Sequence, residues 1–74
     1  MVITESMIKR AKNDFAYIAK EAVEVEHIKG TLYVFGSELA TLRLFRKYNT
    51  AKRNEKTRQA YSPNLKTWYF SLDV

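Results

Sequence analysis

Few side chains in this sequence could carry chemistry, and they fall into three groups. The first is a lone histidine, His27, flanked by Glu24 and Glu26. An imidazole oriented by a carboxylate is the usual form of a general base. A histidine standing among surface acids is the plainer reading, and the sequence supplies no second histidine and no cysteine to convert it into a site. Zinc or copper needs several nitrogen or sulfur ligands. Glu21, Glu24 and Glu26 would have to converge to hold a hard cation, and a strand would put Glu24 and Glu26 on one face without Glu21. No metal and no cofactor are expected.

The second group is Ser37 in the run Gly36-Ser37-Glu38-Leu39-Ala40. A nucleophile elbow needs a second glycine after the serine, which this run lacks. Ser37 therefore reads as a helix cap. With glycine only at positions 30 and 36, and no Gly-Lys-Ser/Thr ending, there is no phosphate loop either. Absence of thiolates, of a histidine pair and of a phosphate cradle makes an enzyme the least expected class.

The third group is basic. Residues 1–38 carry a net charge of −1, whereas residues 39–74 carry +6. Seven bases lie between positions 43 and 58: Arg43, Arg46, Lys47, Lys52, Arg53, Lys56 and Arg58. A concentrated positive stretch is how proteins hold phosphates without reading bases, and each phosphate neutralised steepens the salt dependence. Tyr48, Tyr61, Trp68 and Tyr69 lie near it in sequence, and aromatics beside bases often hold single strands. The plainer reading is a solvated helix face followed by a polar loop.

These residues must be positioned by something small. The chain has 74 residues, of which 46% are apolar and 28% charged. That is an ordinary globular mixture, enough for one domain spanning residues 1–74. No run approaches 18 consecutive apolar residues, so no membrane span is expected. The start, Met1-Val2-Ile3-Thr4-Glu5, lacks a basic region followed by an apolar run, so no signal peptide is expected. The lack of cysteine suits a reducing compartment, so a cytoplasmic protein is expected.

A first helix is predicted from about Glu5 to Ala19. Ile8, Ala11, Phe15, Ile18 and Ala22 fall on one helical face. Thr4 can cap it, with Ile3 and Ile8 placed for a hydrophobic staple. The period then changes: Val23 and Val25 alternate with Glu24 and Glu26, and Leu32-Tyr33-Val34-Phe35 is rich in β-prone residues. With Ile28-Lys29-Gly30-Thr31 supplying the turn, residues 22–36 read as a hairpin. A continuation of the first helix through Glu26 is the competing assignment for residues 20–28.

Ser37 then opens a second helix, to about Asn49, with Glu38 in its first turn. Leu42, Leu44, Phe45 and Tyr48 share one side, and Arg43, Arg46 and Lys47 share the other. On this reading, Arg43 and Arg46 could both be reversed to glutamate without loss of the fold. Residues 50–57 read as an exposed loop. Arg58 to Ser62 and Thr67 to Leu72 read as a second hairpin around Pro63-Asn64.

The order α-β-β-α-β-β implies an α+β fold. Two helices would pack on one face of a small, mainly antiparallel four-stranded sheet. The chain is too short to cover the second sheet face. Tyr33, Phe35, Trp68 and Tyr69 are the aromatic candidates for an interface there, since exposed apolar patches mark binding surfaces. Two functions follow. One is a small non-catalytic protein-binding module or modulator, of the size encoded by phages and other mobile elements. It would associate through the open sheet face with another protein or a second copy of itself. The alternative is a small nucleic-acid-binding protein that grips DNA or RNA through residues 43–58.

Overall fold

The computed structural model describes residues 4–51 and 57–73. Helix α1 spans Glu5–Ala19, strand β1 Glu24–Ile28, β2 Thr31–Gly36, helix α2 Glu38–Ala51, β3 Thr57–Ser62 and β4 Thr67–Asp73. The order is the α-β-β-α-β-β predicted from sequence, and the fold is α+β. Ile3, Lys52, Arg53 and Lys56 lie outside the described residues.

Each helix starts where its cap residue dictates. Thr4 Oγ1 accepts the Met7 backbone N–H at 3.3 Å, and Ser37 Oγ accepts that of Ala40 at 3.1 Å. Such bonds satisfy amide groups that the first helical turn leaves without partners. Helix α1 stops at Lys20, whose φ of 62° is left-handed and whose N–H donates to the Ala16 carbonyl. That reversal ends the competing assignment of a helix through Glu26. Ala22 is consequently beyond the helix and exposed, and Ala19 takes the buried place on its face.

All strand pairs are antiparallel, in the spatial order β1-β2-β4-β3. A two-residue turn joins β1 to β2. Lys29 and Gly30 both take positive φ, 47° and 81°, the condition for a turn whose twist matches that of the strands it connects. Strands β2 and β3 run parallel, joined through α2, with β4 inserted between them, which is a split β-α-β arrangement.

Cross-strand register fixes which side chains share a face. Val25, Val34 and Phe70 are aligned, as are His27, Leu32, Leu72 and Thr57. This is the helix-covered face. With Phe15, Ala19, Val23, Ala40 and Leu44, its buried residues form the core. Phe15 meets Phe70 and Tyr48 edge-on, with ring centroids 6.3 and 5.7 Å apart. Gly36 sits where β2 turns into α2. A Cβ there would lie 3.3 Å from Val23 Cγ1 and 3.5 Å from Ala40 Cβ, so the glycine allows that close approach.

The buried stripe of α2 differs from the one expected. Leu44 and Tyr48 are on it, but Thr41 is fully buried while Leu42 is only half-buried. Thr41 can occupy a core position because its hydroxyl is satisfied on every side. It lies 3.0 Å from both the Ser37 and Glu38 carbonyls, and it accepts from Gln59 Nε2 at 3.2 Å. A threonine that bonds back to the preceding turn hides its polarity from solvent.

Candidate functional site

Both helices pack on one side of the sheet, and among the described residues no element covers the other. Strand alternation sends Thr31, Tyr33 and Phe35 of β2, and Thr67, Tyr69, Ser71 and Asp73 of β4, to this open side. Strand β1 adds Glu24, Glu26 and Ile28, and β3 adds Arg58, Ala60 and Ser62.

At the centre lie three half-buried rings. Tyr33 and Phe35 stack at 6.3 Å with an interplanar angle of 10°. Tyr69 reaches Tyr33 diagonally at 6.0 Å, tilted by 58°. Side chains two apart on one strand, or diagonal across two, come this close only when they share a face. Two shallow concavities flank the rings. One, of about 320 Å³, is lined by Glu26, Ile28, Tyr33, Phe35, Leu65 and Tyr69, among others. The second, of about 240 Å³, is more polar and includes Arg58, Ser71 and Asp73 beside Tyr33 and Tyr69.

Charge is graded across this face. The acids Glu24 and Glu26 stand on β1 at one edge, and Arg58 stands on β3 at the other. Glu24 is held by Lys12 Nζ at 3.3 Å, and Asp73 accepts from the Thr31 hydroxyl at 2.9 Å. Among the described residues neither Glu26 nor Arg58 has an ion-pair partner.

No protein-family model, curated protein or solved structure matches this chain. Its functional reading therefore rests on the geometry alone.

The candidate residues named from sequence fall in different places. Tyr33, Phe35 and Tyr69 come together on the open face. Trp68 does not join them. It stands opposite Gly36 and meets Tyr61 edge-on at 5.6 Å on the helix side. The bases do not gather as one patch among the described residues. Arg46 and Lys47 are exposed on α2, while Arg58 is on the far side of the sheet. Arg43 is half-buried, and its Nη1 donates to the Ala19 carbonyl at 2.8 Å. It thereby closes the end of α1, contrary to the expectation of a solvated side chain free to bind phosphate. Lys52, Arg53 and Lys56 lie outside the described residues.

His27 faces the helices opposite Leu32, whereas its neighbours Glu24 and Glu26 face the open side. The carboxylates that could orient the imidazole point away from it. Among the described residues, no three of the metal-ligating side chains converge, and no helix is long and apolar enough to cross a membrane. The placement of Arg58 beside the aromatic cluster was missed from sequence. Counting alternation along β3 would have found it only once the register with β4 was known.

Proposed function

We propose that this protein is a small non-catalytic binding module that engages another polypeptide through its open sheet face. The observation that carries this reading is the half-exposed cluster of Tyr33, Phe35 and Tyr69, central on a sheet face that no element covers among the described residues. Aromatic residues dominate the cores of protein interfaces because they combine large apolar area with few rotatable bonds. The surrounding ring of Glu24, Glu26, Thr31, Arg58 and Asp73 has the polar character of an interface rim.

Nucleic-acid binding through residues 43–58 is the second reading. Exposed Arg46 and Lys47 on α2 favour it. Two placements weigh against it: Arg43 is engaged with Ala19, and Arg58 lies on the opposite side of the sheet. The aromatic face could in principle stack bases, but Glu24, Glu26 and Asp73 would repel the accompanying phosphates.

Photo-crosslinking from two positions separates these readings. A photoreactive amino acid at position 35 should give protein adducts in the cell of origin, and Tyr69→Ser should reduce them severalfold. The same group at position 47 should give few. Nucleic-acid adducts from position 47, with no protein adduct from position 35, would overturn the proposal.

A further inference from the structure

The open face carries a pattern that fits its own copy. We propose that it binds a second copy of this chain, sheet against sheet, about a two-fold axis parallel to the strands and midway between β2 and β4. This rests on the reading of the face as a protein-binding surface, and it names the occupant.

The argument comes from the register. One row across the sheet reads Glu26, Tyr33, Ser71, Arg58 on β1, β2, β4 and β3. The next row reads Glu24, Phe35, Tyr69, Ala60. With strands about 4.8 Å apart, Glu26 and Arg58 stand about 7 Å to either side of the sheet's midline. Rotation about an axis along that midline keeps each row at its own height and exchanges left with right. Glu26 then faces the partner's Arg58, and Arg58 faces the partner's Glu26. Tyr33 falls opposite the partner's Ser71, a large side chain against a small one, and Phe35 falls opposite the partner's Tyr69. Every contact occurs twice, as an isologous interface requires.

The other in-plane two-fold, perpendicular to the strands, would lay β1 on β1. That would gather Glu24 and Glu26 of both copies together and set both arginines on the opposite edge, away from those four carboxylates. The strand-parallel axis is also compatible with aligned sheet packing, in which twisted sheets cross at roughly 30°.

Size sets how tightly this pair can hold. Four strands of about six residues cover roughly 20 Å by 20 Å. Two copies therefore bury a flat area of about 800 Å², below the roughly 1,200 Å² at which stable interfaces begin. The inference is thus a reversible dimer that dissociates on dilution. The two Glu26–Arg58 pairs select the orientation more than they add affinity.

Charge reversal in two chains provides the test. Sedimentation equilibrium of the wild type should show a dimer at about 500 µM that dissociates as concentration falls toward about 1 µM, a range suited to such weak contacts. Glu26→Arg alone sets two like-charge pairs across the interface, and Arg58→Glu alone does the same with opposite sign. Each should weaken association at least about tenfold, the effect of roughly 1.4 kcal/mol. An equimolar mixture of the two variants restores both ion pairs and should associate as the wild type does. Both side chains are exposed, and circular dichroism of each variant checks that the fold is retained. A monomeric wild type at about 500 µM, or a mixture no more associated than its components, overturns the proposal. If that monomer still yields adducts with a different polypeptide from position 35, only the self-association fails. If position 35 yields no protein adduct at all, the reading of the face as protein-binding fails with it.

Discussion

Replacing Arg43 with methionine keeps an unbranched, largely apolar side chain and removes the guanidinium. In the folded protein that group donates to the carbonyl of Ala19, the last residue of α1, at 2.8 Å. The last four carbonyls of a helix have no partner within it, and Lys20 N–H supplies only the one for Ala16. A hydrogen bond involving a charged group contributes about 1.5–3 kcal/mol. A cation at a helix C-terminus adds about 0.3–1 kcal/mol through the helix dipole. Arg43 is only half-buried, so solvent screens part of both terms, and about 2 kcal/mol is the expected cost. For a domain of this size, each kcal/mol shifts the melting temperature by about 4–8 °C. Arg43→Met should therefore melt about 8–16 °C below the wild type when followed by circular dichroism. Arg46→Met, on the exposed side of the same helix, is the control and should change stability by no more than about 0.5 kcal/mol. A melting temperature for Arg43→Met within about 2 °C of the wild type would refute the assignment of Arg43 to the end of α1. It would restore that side chain to the solvated basic face.

Two further outcomes follow from local geometry. Thr41→Val removes the hydroxyl that accepts from Gln59 Nε2, and should cost about 1–3 kcal/mol in urea denaturation because a partly buried amide loses its partner. Adding Gln59→Met should recover a good part of that loss, and a double variant as unstable as the two losses summed would count against coupling between them. Lys29→Asn places a residue that tolerates positive φ at the first position of the β1–β2 turn, and should raise stability by about 0.5 kcal/mol or more. A lower melting temperature for that variant would contradict the turn type.

The elements were legible because their signals are local. Thr4 and Ser37 mark both helix starts, and the change from helical spacing at Ile18 to alternation at Val23 marks the entry to the sheet. The three-ring cluster was half legible: Tyr33, Phe35 and Tyr69 are candidates from sequence, but so is Trp68, which as Tyr69's neighbour on β4 faces the other way, and only the order β1-β2-β4-β3 sets β2 beside β4. Arg43 was misread because its partner is a backbone carbonyl 24 residues away. No side-chain pattern in the sequence records such a bond. Thr41 was passed over for Leu42 because polarity alone argues for exposure. What buried it was a pair of carbonyls one turn back together with an amide from β3. Both errors have the same origin: a polar group judged by its type, when its fate was decided by tertiary neighbours.

The position of β4 also bears on how the protein is made. Strands β2 and β3 do not touch each other, and each pairs with β4 along its length. A growing chain that has passed Ser62 but not yet Asp73 holds one hairpin and an isolated third strand, with no sheet to join them. The pairing of Thr31 with Asp73 spans 42 residues, and closure over such separations slows folding. Until β4 has been synthesised, the inner edge of β2 is unpaired, and the apolar face of α2 lacks one of the strands it packs on. Such an edge is a template for another chain's strand. In this protein, the interval between synthesis of β2 and arrival of β4 is therefore the period most open to misassembly.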